Sequence, residues 1–191
     1  MAADLRSILE KFGVLRSGHF LLTSGRHSDR YFEKFRILEQ PPVCEAFATA
    51  VAGRFRNENV SVVCGPTTGG IIIAYEVARQ LGCRCVIAEK AEFGRKIGRG
   101  FRLGSEDRVL VVDDVLTTGG SIKETLAAIE PSGAKVIGVG VYVDRSAGVD
   151  FGLPLYGAYR QEVATFEPAA CPFCANDIPL EEPGRSGKSR G

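Results

Sequence analysis

The sequence predicts an open α/β fold, a parallel sheet flanked by helices, with a small N-terminal subregion forming a hood over it. Two observations carry this prediction. Four short runs, VSVVC (60–64), CRCVIA (83–88), VLVV (109–112) and KVIGVGVYV (135–143), have the length and β-branching of strands buried on both faces. Glycine-rich loops and segments of helical spacing alternate with these runs, as in a parallel sheet built from crossover connections. Ligands of such sheets bind beyond the carboxyl ends of the strands, which directs attention to the loops starting at Gly65, Glu89, Asp113 and Asp144.

The elements follow in chain order. Leu5, Ile8, Leu9 and Phe12 lie on one helical face after a capping Asp4 and stop at Gly13, predicting a short helix that packs as a lid or flap. Residues 18–38 mix aromatic and β-branched residues around a Ser24-Gly25 turn and read as a strand pair. Together these make the hood, residues 1–40. Pro41-Pro42 opens a helix with Val43, Phe47, Ala50, Val51 and Phe55 on its apolar positions, and begins a core spanning 41–170. The first buried strand leads through GPTTGG into a helix carrying Ala74, Val77, Ala78 and Leu81 and ending at Gly82. The second leads into EKAEFGRKIGRGFRLG (89–104), where Lys90, Arg95, Lys96, Arg99 and Arg102 outnumber Glu89 and Glu92, and glycines keep the backbone mobile. A flexible cationic lid of this kind can close over a diphosphate and exclude water. The third strand passes through DDVLTTGG into a helix with Ile122, Leu126 and Ile129 on one face, and the fourth ends in DRSAG. The last part, 171–191, is a CPFC segment followed by a polar tail, PGRSGKSRG, expected to be disordered.

Composition narrows the function classes. With 191 residues, 45% hydrophobic and 25% charged, the chain can bury its own core, and a net charge of +1 gives no general attraction to nucleic acid or membrane. MAADLRSILEKFG resembles neither a secretory signal nor a transit peptide, and no apolar run is long enough to span a bilayer, so a cytoplasmic location is expected. Of the six cysteines, Cys44, Cys64, Cys83 and Cys85 sit in apolar segments as reduced core thiols. Cys171 and Cys174 have metal-ligand or redox spacing. Zinc takes four ligands, however, and no second pair has comparable spacing, so a structural role and no protein metal ligands are expected. His19 and His27 are expected in core or surface roles.

The chemistry concentrates in VLVVDDVLTTGGS (109–121). Asp113 and Asp114 are adjacent on extended backbone, so their side chains point to opposite faces and must do different jobs. Accepting hydrogen bonds from sugar hydroxyls and supporting a hydrated cation are the two that suit carboxylates here. Thr117, Thr118, Gly119, Gly120 and Ser121 place hydroxyls and open backbone N–H groups at a helix N-terminus, a cup that fits a monophosphate. A Walker A loop is excluded because no lysine follows Gly70 or Gly120, and GVGVYV at Gly138 lies inside a strand, which excludes a dinucleotide fingerprint.

An apolar strand, two acidic residues and a TTGGS loop resemble the signature of type I phosphoribosyltransferases, and the likeness is closest to the orotate phosphoribosyltransferases. GHFLLTSGRHSDRYF is similar to their N-terminal segment, GPTTGG stands where their pyrophosphate loop stands, and Val143 to Arg145 match their base-binding arginine. The resemblance implies transfer of a phosphoribosyl group from phosphoribosyl pyrophosphate to orotate, with Mg²⁺. It implies that Asp113 and Asp114 contact the ribose, that Val115, Leu116, Thr117, Thr118, Gly119, Gly120 and Ser121 wrap the 5-phosphate, and that Thr67, Thr68, Gly69, Gly70 and Lys90 hold the diphosphate. Thr117, Arg145, Tyr31 and Phe32 would meet orotate. Where the family carries a KxxKxH run in its lid this chain has EKAEFGRK, which moves cationic assistance to Arg95 or Lys96. A lid that reaches the partner's active site in the resembling enzymes implies a homodimer. Two alternatives stay open: another acceptor base, purine or uracil, and a non-catalytic nucleotide-sensing regulator.

Overall fold

The computed structural model describes residues 4–22, 24–146, 148–160 and 164–183. Most of the polar tail expected to be disordered lies outside the described residues. The first helix, α1 (Leu5–Lys11), is capped by the Asp4 carboxylate, which accepts from the Arg6 and Ser7 amides at 3.1 and 3.3 Å. Strands β1 (Leu15–Leu21) and β2 (His27–Phe32) pair antiparallel, then α2 (Phe35–Glu39) and α3 (Pro41–Phe55) lead into the main sheet. Its elements are β3 (Val62–Pro66), α4 (Gly69–Leu81), β4 (Arg84–Lys90), β5 (Arg95–Ile97), β6 (Arg108–Leu116), α5 (Gly120–Ile129), β7 (Lys135–Asp144) and β8 (Leu155–Arg160). The strand order is β5-β4-β3-β6-β7-β8, parallel throughout except for β5, which folds back on β4. The chain closes with β9 (Thr165–Phe166), which adds to β2, and a short α6 (Pro172–Ala175).

Two apolar layers sandwich the main sheet, and they divide by strand parity. Val63, Leu110, Val112 and Tyr142 pack with Phe47, Phe55, Ile73 and Val77 of α3 and α4, whereas Val62, Cys64, Val109, Val111, Val139 and Val141 pack with Ile122 and Ile129 of α5. Period-two alternation continues past these residues, so Asp113 shares the α5 face with Val109 and Val111, and Asp114 shares the α3–α4 face with Leu110 and Val112. The opposite-face expectation for the acidic pair thus follows from the packing of the whole strand.

Three expectations are corrected. Helix α1 is part of the core and not a flap: Leu9 is fully buried in the layer that holds Phe47 and Phe55, because its apolar stripe has α3 and β8 to cover it. Strand β6 continues through both aspartates to Leu116, since the ladder with β7 persists to the Leu116–Asp144 pair. The base of the basic lid is an ordered hairpin, β4–β5, with Lys90 opposite Arg95 and Glu89 opposite Lys96.

The N- and C-terminal segments meet in one small sheet. Besides the β2–β9 pairing, the Leu21 amide donates to the Glu181 carbonyl at 2.9 Å and the Glu181 amide to the His19 carbonyl at 2.8 Å. This closure carries CPFC onto the hood and sets His19 and His27 beside Cys171 and Cys174. Spacing along the chain offered no second ligand pair; the second pair is assembled in space, from two adjacent strands.

Candidate active site

The carboxyl ends of β3 and β6, neighbours at the centre of the sheet, open onto two adjoining loops. After β6, residues 115–121 turn over the N-terminus of α5 and form a recess together with Asp113 and Ile122. Gly119 has φ +78° at the N-cap, a conformation that a side chain disfavours, and a Cβ there would also meet Phe151 at 2.9 Å. No side chain caps α5, which leaves its first amides facing the recess. Thr117, Thr118 and Gly120 are exposed around this anion-shaped opening, while the Leu116 side chain turns into the core and contributes only backbone.

The two carboxylates differ in surroundings as well as in face. Asp113 is 8% exposed and accepts from the Asp114 amide at 2.9 Å. Burial pushes its carboxyl up to about 6, and neighbouring Asp114 pushes the same way. Asp114 accepts from the Val115 amide at 2.6 Å and pairs with Lys34 at 3.1 Å. Gly69 lies against this carboxylate: a Cβ at Gly69 would sit 2.4 Å from Asp114 Oδ2. Only glycine lets the first turn of α4 approach so closely.

The loop between β3 and α4, Thr67 and Thr68, is joined by a cis peptide and tied to β4 by the Thr67 amide, which donates to the Ala88 carbonyl at 3.0 Å. Gly65 and Gly70 close the turn, since a Cβ on Gly65 would reach the Gly70 carbonyl oxygen at 2.1 Å. Arg95 has a role that its place in the basic run did not predict. Its side chain is 6% exposed and donates at 3.2 Å to the Thr67 carbonyl and hydroxyl, the Ala88 carbonyl and the Ser121 hydroxyl. It also lies 3.3 Å from Glu124 without hydrogen-bond geometry. Arg95 therefore joins the β3–α4 loop to the loop that follows β6 and is not a free lid cation. Arg99 pairs with Glu89, whereas Lys90 and Lys96 are exposed and form no ion pair among the described residues. Phe93 at the hairpin tip is 86% exposed.

On the other side of β6, β7 ends at Asp144, whose buried carboxylate fixes the turn that follows. Burial alone would raise Asp144, yet bonds from the Ser146 amide and hydroxyl and from Arg160 together hold it below the usual carboxylate range. The Arg145 amide donates to the Leu116 carbonyl at 2.9 Å, holding the two loops together. Arg145 itself is largely buried, and its Nε has no hydrogen-bond partner among the described residues. Burial lowers its guanidinium pKa, and Tyr31 of β2 acts in the opposite sense. Tyr31 and Phe32 do not act as a pair: alternation along β2 leaves Tyr31 half-buried toward Arg145, while Phe32 is 7% exposed within the core, so any contact it makes with a base is through its backbone.

Lys34 was not singled out by motif. The signal was its position two residues beyond the Tyr31–Phe32 strand end, which returns the chain toward the sheet, but no spacing rule connects it to Asp114, 80 positions on. The site thus combines a recess at the uncapped N-terminus of α5, two carboxylates of separate orientation, a glycine turn and a partly buried arginine whose Nε has no partner among the described residues.

Comparisons with known proteins agree with this arrangement. The family described as phosphoribosyl transferase domain matches residues 36–152. The orotate phosphoribosyltransferase of Caldanaerobacter subterraneus subsp. tengcongensis is 47% identical over 93% of this chain and 94% of its own length. That of Thermotoga maritima is 41% identical over 96% of this chain and 98% of its own. Among solved structures, the orotate phosphoribosyltransferase of Aeropyrum pernix matches with a TM-score of 0.69 at 28% identity, covering 82% of this chain and 93% of that one. The chain belongs to the phosphoribosyltransferase family, in its type I fold, and within it to the orotate phosphoribosyltransferases.

Proposed function

We propose that the chain transfers the phosphoribosyl group of phosphoribosyl pyrophosphate to N1 of orotate, giving orotidine 5'-monophosphate and pyrophosphate in pyrimidine biosynthesis. The observation that carries this reading is Arg145, a partly buried side chain whose buried Nε has no hydrogen-bond partner among the described residues, one loop from the phosphate cup. A buried N–H without an acceptor is costly, and a planar anionic base bearing a carboxylate would satisfy it. The 5-phosphate sits on the amides of 117–121, and the ribose hydroxyls donate to Asp113 and Asp114. As the bond from C1 of the ribose to the diphosphate oxygen breaks, N1 of orotate bonds to that carbon and loses its proton. Cationic character builds on the sugar, where the two carboxylates stabilise it, and negative charge builds on the diphosphate, which the loop at 67–70 and exposed Lys90 and Lys96 receive.

The donor set suits Mg²⁺: hard carboxylate oxygens at the mouth of the site, on opposite faces of one strand and thus unable to close a protein cage. Asp113 and Asp114 would hold the ion through water and substrate oxygens, and its chemistry is neutralisation of the diphosphate. A homodimer is supported by exposed apolar residues on α2 and α4, Phe35, Ile72 and Tyr75 at 57, 46 and 66% exposure, and by exposed Phe93 at the lid tip. No described helix is long and apolar enough to cross a membrane, and a biosynthetic role suits the cytoplasm.

The test is pyrophosphate release from phosphoribosyl pyrophosphate and Mg²⁺ with orotate, uracil, hypoxanthine and adenine supplied separately. Turnover with orotate alone is expected. Turnover of a purine in its place would overturn the acceptor, and no turnover with any base would overturn the enzyme.

A further inference from the structure

The reaction leaves one cluster of reactive side chains unused. His19 and His27 project from adjacent strands of the hood, and Cys171 and Cys174 come from the C-terminal segment more than 140 residues later in sequence, as His27 and Cys171 stand 144 apart. Their ligand atoms all lie within 4.8 Å of one another. His19 Nε2 is 2.9 Å from His27 Nδ1, 3.4 Å from Cys171 Sγ and 3.7 Å from Cys174 Sγ, and Cys174 Sγ is 3.3 Å from His27 Nδ1. With Zn–N near ~2.0 Å and Zn–S near ~2.3 Å, the edges of a tetrahedron are about 3.3 Å between nitrogens and about 3.6 Å between nitrogen and sulfur. The observed separations fall around these edges.

We propose that His19, His27, Cys171 and Cys174 form a structural Zn²⁺ site that clamps the C-terminal segment onto the hood. Two thiolates and two imidazoles are a set that selects zinc over the hard cations used with phosphates. Charge balances, since two thiolates neutralise the ion, and this matters where His19, His27 and Cys171 are only 2, 5 and 3% exposed. His19 is already oriented for a metal: its Nδ1 lies 2.8 Å from the Ile178 carbonyl, which can only accept, so Nδ1 carries the proton and Nε2 turns its lone pair to the cluster. Phe173 stacks on the His19 ring at 5.6 Å and holds its plane. Cys174, at the edge of the cluster, leaves a way in for the ion. Binding releases the two thiol protons, and the proton that His27 Nδ1 shares with His19 moves to His27 Nε2. Because β2 begins at His27 and carries Tyr31 near its end, the clamp also steadies the acceptor side of the active site.

The experiment uses untagged full-length protein purified without chelator and analysed for zinc by mass spectrometry. About one zinc per chain is expected in the wild type and less than about a tenth in Cys174→Ser, with a lower melting temperature on zinc removal that added Zn²⁺ restores. Should the variant fail to fold, wild-type protein is stripped and reloaded with Co²⁺. Thiolate-to-cobalt charge transfer and the strong visible bands of a tetrahedral site support the proposal, and their absence overturns it. Zinc content untouched by Cys174→Ser, iron in place of zinc, or a Cys171–Cys174 disulfide seen as a loss of two hydrogens in the intact mass would each overturn it too. These readouts do not depend on activity, so they stand apart from the acceptor assignment.

Discussion

Asp113→Asn should make the ligand-free protein more stable while crippling its use of phosphoribosyl pyrophosphate. In the folded chain the Asp113 carboxyl is raised from 3.8 to about 6 by burial and by Asp114. A raised carboxyl binds its proton more tightly folded than unfolded, so its contribution to stability is greatest below the unfolded value and is lost as pH rises through the folded value. A shift of about two units corresponds to about 3 kcal/mol, the cost of holding this buried carboxylate ionised at neutral pH. Asparagine is isosteric, stays neutral, and keeps an oxygen for the Asp114 amide that Asp113 accepts from at 2.9 Å. After allowing for imperfect pairing of the new amide, the gain above about pH 7 is on the order of 1–3 kcal/mol, or roughly 2–4 °C per kcal/mol in a chain of this size. Urea unfolding of both proteins in Mg²⁺-free buffer, from about pH 5 to about pH 8, measures it. The gap should widen up to about pH 6, where the unfolded carboxyl is already ionised and the folded one still holds its proton, and level off above that once both are ionised. A variant less stable than wild type at the alkaline end, or a gap independent of pH, would refute the burial argument. The KM for phosphoribosyl pyrophosphate should rise in the same variant, marking the site as one where stability is given up for binding.

Other perturbations have distinct signatures. Arg95→Ala removes the bridge between Thr67 and Ser121 and should cost about 2 kcal/mol of stability in urea unfolding as well as activity; Arg95→Lys, lacking the planar fork, should recover little of either. Lys96→Ala, at an exposed position, should leave unfolding within about 0.5 kcal/mol of wild type while lowering kcat, which separates the lid cation from the structural one. Gly69→Ala forces a methyl against Asp114 and should raise the KM for phosphoribosyl pyrophosphate more than that for orotate, as steady-state kinetics would reveal.

The parallel sheet and the recess after β6 were legible because each depends on short-range rules. Val109 to Val112 read as a buried strand from composition, and Thr117 to Ser121 as an open helix N-terminus from the residue types that such turns require. The less legible parts are those set by distant contacts. Strand β9 has two residues and exists because β2 offers it an edge. The anchoring of Arg95 depends on β5 folding back along β4, which a run of basic and glycine residues does not distinguish from a mobile loop. Lys34 and Asp114 meet only because the hood returns over the end of β6. The same closure unites His19, His27 and CPFC, which sit in segments with no common motif. The half-burial of Tyr31 and the burial of Phe32 also needed the strand's orientation, since either parity fits the sequence.

The acceptor assignment rests on Arg145, and the ratio of kcat/KM for orotate to that for uracil, measured in wild type and in Arg145→Ala, tests it most directly. The two bases differ by the carboxylate, so wild type should prefer orotate by a factor on the order of 10⁴, as sites built around a buried polar partner do. Arg145→Ala should lose most of that preference through orotate alone, with the KM for phosphoribosyl pyrophosphate little changed. A variant that keeps the wild-type preference would contradict the reading of Arg145 as the group that recognises the base.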